Sequence, residues 1–246
     1  MKRVRPLLNR RDMLALMGAV ATAKLFGCAG GRGGFSGPYT QQTIAGCVVS
    51  PQQTEGPFFV DEKLNRSDLR VDPENSSVSP CVPLRLALHV FQIANNSCTP
   101  LRGATVDVWH CDALGSYSDV RENAGSAGDT RGRKFLRGYQ VTDGQGTVEF
   151  QTIYPGWYQG RTVHLHFKIR TNPSSEVSHE LTSQLYFDEA ITDQVHAEPP
   201  YAQKGRRDTT NSSDGIFSRG GNDLMVALSK DTEGYSGTYK VTMLMT

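Results

Sequence analysis

The chain has 246 residues, of which 37% are hydrophobic and 21% are charged. This composition is typical of a folded domain with a full core, and it excludes a disordered or membrane-embedded chain. The 26 basic and 25 acidic residues nearly cancel, which leaves no electrostatic reason to predict a nucleic-acid partner.

The positive charge is concentrated at the N-terminus. Residues 1–27 contain six basic residues and one acidic residue, so the rest of the chain carries a formal net charge of −4. The pair Arg10-Arg11 precedes an apolar run over 13–23, which is shorter than the roughly 20 residues of a membrane span. We therefore predict a twin-arginine export signal over 1–27, with an ordinary basic N-terminus as the alternative.

Two cleavage sites compete within this signal. One follows Ala23, and the other precedes Cys28 in a segment, Leu25-Phe26-Gly27-Cys28, that resembles the lipobox of bacterial lipoproteins. A glycine-rich stretch follows and is typical of a flexible linker, which favours lipidation at Cys28 and a tether over 28–46. We expect a periplasmic bacterial protein, or one held at the membrane only by that lipid.

Four cysteines remain after Cys28: Cys47, Cys81, Cys98 and Cys111. An even number in an exported chain predicts one or two disulfides, and three complete pairings stay open. Cys111 has little support as a nucleophile, because the neighbouring His110 would point to the opposite face of a strand.

Alternating apolar residues predict strands over 84–93 and 104–110, joined as a hairpin by the turn-rich segment 95–103. A second hairpin is predicted from GYQVT and TVEFQTI, which flank the glycine-rich loop 143–146. Further strands are expected over 163–170, 181–187 and 239–245.

These short strands, without sustained helical periodicity, favour an all-β fold: a two-sheet β-sandwich over 47–246, preceded by the export signal. Two segments rich in Asp, Ser, Asn, Pro and Gly, 61–80 and 196–222, are predicted as long surface loops. Trp109 is predicted to fill the core, with the wall of a pocket as the alternative.

The residues best suited to chemistry follow Tyr154-Pro155-Gly156. His164 and His166 share one face of a strand because they lie two residues apart. Two histidines on a polar strand face need no metal, so this pattern alone is ambiguous. Tyr158, just before Gly160, can turn back toward them, and Tyr117 follows a strand end in a loop of the kind that carries function.

Four motifs together resemble the intradiol ring-cleavage dioxygenases, the family of catechol and protocatechuate dioxygenases. They are VDVWHCDALGSYS, FLRGYQVTDGQG, TIYPGWYQGRTVHLHF and SQLYFDE, within a similarity that begins at Thr54 and continues to the C-terminus. The resemblance implies that a non-haem Fe(III) ion is bound by Tyr117, Tyr158, His164 and His166. Phenolate is a hard anionic donor that suits Fe(III), whereas zinc prefers Cys, His or carboxylates, and Asp112 is the only acid nearby in sequence.

The resemblance also implies a reaction in which O₂ cleaves a catechol-type diol between its hydroxylated carbons to give a muconate-type diacid. Tyr158 would leave the ion and accept a substrate proton, and Arg161 would stabilise charge developing on the ring. Gly56 and Pro57 match a segment that lines the substrate pocket in the family, although Gly-Pro is equally an ordinary turn, and Gln184 matches a position just outside the residues that contact the substrate.

Two other classes of function stay open. One is an inactive, metal-containing sandwich that binds aromatic ligands without turnover, and the other is a different metal enzyme or an interaction module. Cytoplasmic catechol dioxygenases carry a helical dimerisation region, but residues 38–83 show no long amphipathic helix. Dimerisation by that route is not expected, and the oligomeric state and the identity of the diol stay open.

Overall fold

The computed structural model describes residues 40–79, 81–125, 127–171 and 178–245. The predicted export signal, Cys28 and the tether as far as residue 39 lie outside the described residues. Within these ranges the fold is mostly β-strand with one short α-helix, so the all-β prediction is confirmed. No helix in the described part of the chain is long and apolar enough to cross a membrane.

The described strands and the helix follow one another in this order: β1 (Thr43–Ile44), β2 (Cys47–Val48), β3 (Pro83–Ala94), β4 (Ser97–Pro100), β5 (Thr105–Trp109), β6 (Arg137–Val141), β7 (Thr147–Ile153), β8 (His164–Arg170), β9 (Glu180–Tyr186), α1 (Glu189–His196), β10 (Leu228–Lys230) and β11 (Tyr235–Leu244). Short 3-10 turns lie at Tyr201–Lys204, Asn211–Ser213 and Gly221–Leu224.

The two large sheets are built around β3 and around the pair β5 and β8. The first has the order β10-β11-β3-β4, with β7 also paired to β3, and the second has the order β6-β5-β8-β9. β11 runs parallel to β3, while the other pairings in these sheets are antiparallel. β1 and β2 form a small separate hairpin, in which the last residues of the predicted 28–46 tether take part.

The alternation of apolar and polar residues explains how the two sheets pack. Inward-facing residues of both sheets join one core: Leu84, Leu86, Leu88, Val90, Val106, Val108, Leu165 and Phe167. Each such buried side chain contributes about 1.5–3 kcal/mol relative to an exposed one. The opposite face of the second sheet carries Trp109, His166 and Gln184, all of them buried. Chain segments therefore cover this outer face as well, and the polar residues there are enclosed.

The predicted hairpin between the first two long strands is wrong. β3 instead pairs with β4 through a two-residue turn at Asn95 and Asn96, both with positive φ, the conformation that suits a tight hairpin. β5 then belongs to the second sheet. Periodicity identified both strands, but it carries no information about which strands pair.

The second predicted hairpin is also wrong. β6 pairs with β5, whereas β7 pairs with β3 in the other sheet. The turn between them is held by Asp143, whose carboxylate accepts from the backbone N–H groups of Gln145 and Thr147. This turn carries the chain from one sheet to the other. The strands predicted over 163–170 and 181–187 are confirmed as β8 and β9, and β11 begins four residues before its prediction.

The two predicted surface loops are only partly at the surface. In the first, Leu69 is fully buried and the backbone bridges to Tyr139 and Gln151. In the second, Tyr201 and Asp214 are buried. Both segments lack periodicity because they pack as irregular chain, with polar side chains that bond to the backbone.

One of the open cysteine pairings forms in the structure. A disulfide joins Cys47 to Cys98, with their Cα atoms 6.1 Å apart, and ties the small hairpin to β4. Closing a loop of 51 residues contributes about 4 kcal/mol in the chain-entropy account. Cys81 and Cys111 are free. Burial raises the pKa of the Cys111 thiol, which does not suit a thiolate nucleophile.

Candidate functional site

The candidate site lies on the outer face of the second sheet, where β8 begins. His164 and His166 point to this face, and their Nε2 atoms are 3.1 Å apart. Leu165 and Phe167 alternate with them and face the core. The strand thus presents two imidazoles side by side in a fully buried position.

Two phenols converge on the same point. The Oη of Tyr158 lies 3.1 Å from His164 Nε2, and the Oη of Tyr117 lies 3.5 Å from the same atom. Tyr158 returns toward β8 through a turn in which Gly160 has a φ of +78°, a conformation that favours glycine. Tyr117 reaches the site from the loop that follows β5, and it is fully buried.

A backbone carbonyl fixes the protonation of His164. Its Nδ1 lies 2.6 Å from the carbonyl oxygen of Thr162. Because a carbonyl only accepts, Nδ1 carries the proton and Nε2 keeps its lone pair. The lone pair of Nε2 therefore faces the two phenols and His166, and such an orienting bond is usual for a histidine that binds a metal.

Burial controls the charge of the four groups. It lowers the pKa of His164 to about 3 and that of His166 well below its usual value. It also raises the pKa of Tyr158 to about 12 and that of Tyr117 well above its usual value. The imidazoles are thus neutral, the form that binds metals, and the phenols ionise only beside a strong positive charge.

The donor set fits one metal ion. Separations of 3.1 and 3.5 Å between donor atoms match atoms that share one ion through bonds of about 2.1 Å. Among the described residues, no three His, Cys, Asp or Glu side chains gather as a metal site. An ion here would depend on the two phenols, whose hard oxygens favour Fe(III).

Aromatic rings enclose the donors. Trp109 stacks on His166, with ring centroids 4.9 Å apart and planes 7° apart. Phe58 stacks on Tyr117 at 4.4 Å and meets Tyr158 edge-on at 6.1 Å. Trp109 is buried in a small cluster with Tyr117 and Tyr158, apart from the main core between the sheets. It therefore walls the candidate site and holds a donor ring in place, which is the alternative to filling the core.

The segment containing Gly56 and Pro57 covers this cluster. Gly56 has a φ of +71°, and a Cβ at this position would lie 3.5 Å from His166 Cε1. Pro57 is exposed. Lys168 on β8 anchors the segment, because its ammonium pairs with Glu55 and lies 4.2 Å from the ring centre of Phe59.

Arg161 is built into the site and is not a solvated turn residue. Its Nη1 lies 3.5 Å from His164 Nε2, and its Nη2 donates to Gln184 Oε1 at 2.6 Å. Gln184 in turn donates from Nε2 to the carbonyl oxygen of Thr54 at 2.9 Å. The structure therefore brings Arg161, Gln184 and the segment around Gly56 together beside the four donors.

The sequence did not indicate Asp214, an acid that pairs with a residue of this site. Asp112 accepts from the backbone N–H groups of Leu114 and Ser116 in its own turn. Asp214 instead lies beside Arg161, with its Oδ2 2.8 Å from the arginine Nε. Asp214-Gly215 looks like an ordinary turn in the sequence, so nothing there indicated the contact.

The comparisons with known proteins agree with this geometry. A family model described as "Dioxygenase" matches residues 54–205. The solved intradiol ring-cleavage dioxygenase from Tetranychus urticae is 31% identical and superposes with a TM-score of 0.67, covering 80% of this chain and 94% of that one. The chain belongs to the intradiol ring-cleavage dioxygenase family.

Three further relatives match at lower identity or over a shorter stretch. The dioxygenase domain of a carbohydrate-binding fusion protein from Streptomyces sp. SirexAA-E is 29% identical, with a TM-score of 0.56 over 80% of this chain and 99% of that one. The chlorocatechol 1,2-dioxygenase of Pseudomonas putida is 31% identical over 106 residues, 36% of each protein. The catechol 1,2-dioxygenase of Candida albicans is 27% identical over 53% of this chain and 45% of that protein. The matches thus span about half or less of these curated relatives.

Proposed function

We propose that the protein is a non-haem Fe(III) dioxygenase that uses O₂ to cleave a catechol-type diol, between its hydroxylated carbons, to a muconate-type diacid. The observation that carries the proposal is the convergence of two phenol oxygens and the Nε2 of His166 on the Nε2 of His164, at 3.1 to 3.5 Å from it. Membership of the family and the activities named for its relatives support it.

Tyr117, Tyr158, His164 and His166 would hold the ion. When bound, Fe(III) would act as a Lewis acid toward the diol oxygens and would activate the ring toward O₂. His164 is suited to this role because its Nδ1–H is already committed to the Thr162 carbonyl oxygen.

The remaining chemistry falls to the protein's own side chains. Tyr117 and Tyr158 both lie in loops, but Tyr158 is 9% exposed whereas Tyr117 is fully buried. Tyr158 would therefore be the ligand suited to move away from the ion and accept a substrate proton at its Oη. Arg161 is largely buried, where a fixed cation stabilises charge developing on the ring more strongly than in water. Phe58 and Trp109 exclude water around these groups. Gly56 leaves room beside His166.

Visible spectroscopy on the purified protein tests the proposal. Tyrosinate bound to Fe(III) absorbs visible light, so protein loaded with iron should be reddish, and anaerobic catechol should shift the band. Admission of ¹⁸O₂ should then reverse the shift and yield a diacid that contains both labelled atoms. Protein loaded with zinc is the matched control and should stay colourless.

The outcomes separate the alternatives. A band that shifts with catechol but does not respond to O₂ would identify a protein that binds aromatic ligands without turnover. A colourless protein that takes up stoichiometric zinc in preference to iron would reject the ferric site altogether.

We also propose that the protein is exported to the periplasm, free or anchored through Cys28. The twin-arginine pattern supports this, and so does the Cys47–Cys98 disulfide, because disulfides persist in oxidising compartments and are rare in the cytosol.

Cell fractionation with an activity assay tests export. Arg10→Lys combined with Arg11→Lys should trap iron-loaded, active precursor inside the cell, because the twin-arginine route carries folded proteins. Cys28→Ala should release mature protein from the membrane. Unchanged export of the double variant would favour the general secretion route, and a Cys28→Ala protein that stays membrane-bound would reject the lipid anchor.

A further inference from the structure

Asp214 lies in the irregular segment 196–222, beyond residue 205, at which the family match ends. Its carboxylate is fully buried and accepts four hydrogen bonds. Oδ2 accepts from Arg161 Nε and from the Thr162 backbone N–H, both at 2.8 Å. Oδ1 accepts from the backbone N–H groups of Ile216 at 2.7 Å and Phe217 at 2.9 Å. One oxygen thus holds the segment's own turn, and the other reaches the site.

The first consequence concerns the direction of the Arg161 guanidinium. Asp214 takes its Nε–H and Gln184 takes an Nη2–H. This leaves Nη1 facing the four candidate metal ligands, 3.5 Å from His164 Nε2. Because the guanidinium is planar and rigid, bonds on two of its edges fix where the third points.

The second consequence concerns His164. The Thr162 peptide donates its N–H to Asp214, while its carbonyl oxygen lies 2.6 Å from His164 Nδ1. The Thr162 hydroxyl also donates to Asn211 Oδ1 at 2.6 Å, within the same segment as Asp214. The Asp214 carboxylate therefore holds the Thr162 peptide, and this peptide fixes the orientation of the His164 imidazole.

We propose that Asp214 is a positioning residue that sets the direction of Arg161 and, through Thr162, the orientation of His164. The proposal rests on the proposed dioxygenase function. Asp214 touches none of the four donors and acts through the residues that do. Burial alone would raise the pKa of Asp214, but the hydrogen bonds from Phe217, Thr162 and Arg161 bring it below its usual value, so the carboxylate is charged when it pairs with Arg161.

Asp214→Asn is the first variant to make. Its amide oxygen can still accept from Ile216 and Phe217, but its NH₂ group faces the donors of Arg161 and Thr162 and cannot accept from them. We expect kcat to fall about 10- to 100-fold, the range for losing a partner that orients a site residue. Iron affinity should fall by no more than the same factor, so protein loaded with excess iron should keep its visible band and a KM for catechol close to wild type. Asp214→Ser provides a second variant, because its hydroxyl can cap the turn but is too short to reach Arg161.

A double-mutant cycle separates positioning from a general structural role. If Asp214 acts on turnover mainly through Arg161, then Asp214→Asn should cost little further kcat in an Arg161→Ala background. If Asp214 had only a general structural role, the losses of kcat from the two substitutions would multiply. Asp208→Asn is the matched control, because Asp208 is an exposed acid of the same segment that accepts from the Gly160 N–H at 3.2 Å. That variant should leave kcat unchanged.

Each outcome decides one question. Wild-type kcat in both Asp214 variants, or multiplicative losses in the cycle, would overturn the positioning role while the dioxygenase function stands. Loss of the visible band in both variants even with excess iron would show that Asp214 holds the iron site together as a whole, and would also overturn the proposal. A wild-type protein without a band or turnover would instead reject the proposed function itself.

Discussion

His166→Ala protein should purify without iron and without the visible charge-transfer band, while the sandwich stays folded. His166 supplies one of the four converging donors, with its Nε2 3.1 Å from that of His164. Loss of even an outer partner of a metal ligand costs 10- to 100-fold in affinity, so loss of a ligand should cost more than about 100-fold. Iron analysis, the visible spectrum and thermal unfolding measure the three parts of this expectation.

His89→Ala is the matched control. His89 lies on β3 in the other sheet, and its Nδ1 is 2.8 Å from Thr147 Oγ1. The substitution also removes a hydrogen-bonded histidine, but one that is half-buried and far from the four donors in the fold's other sheet. Iron and colour should therefore remain. Stoichiometric iron with an unchanged band in the His166→Ala protein would mean that the ion lies elsewhere.

The sequence predicted the strands better than their pairing. Alternating residues such as Leu84, Leu86 and Leu88 identify β3 because one face of it is buried. The pairing depends on turns, and the Asn95-Asn96 turn returns the chain within the same sheet while the Asp143 turn transfers it to the other. Both turns contain residues common in any loop, so their sequences do not distinguish these outcomes.

The residues of the candidate site also differ in how far the sequence alone predicts them. His164 and His166 share a face because of strand geometry, which spacing alone predicts. The turn at Gly160 and the loop after a strand end single out Tyr158 and Tyr117, but the resemblance to a family identifies them as ligands, since no local rule places two phenols from separate loops beside a strand. Asp214 could not be predicted, because its contact with Arg161 joins residues 53 positions apart across an irregular segment.

Arg161→Ala should keep the iron colour and still bind catechol, but lower kcat by about two to three orders of magnitude. The variant removes a cation whose side chain is only 16% exposed and whose Nη1 lies 3.5 Å from His164 Nε2. Loss of one group that stabilises developing charge in such a site costs about 2.7–4 kcal/mol. Anaerobic titration with catechol measures binding, and single-turnover kinetics with O₂ measures the chemical step.

The loss of stability must be separated from the loss of catalysis, because Arg161→Ala leaves the Asp214 carboxylate without its cation. Asp214 keeps its bonds from the N–H groups of Thr162, Ile216 and Phe217, so the protein should stay folded with a lower melting temperature. Arg133→Ala is the control, since Arg133 Nε pairs at 2.6 Å with Asp72, whose side chain is as fully buried as that of Asp214. It should lose stability in the same way but keep kcat. Equal losses of kcat in both variants would assign the Arg161 effect to folding, and unchanged kcat in Arg161→Ala would exclude Arg161 from the chemistry.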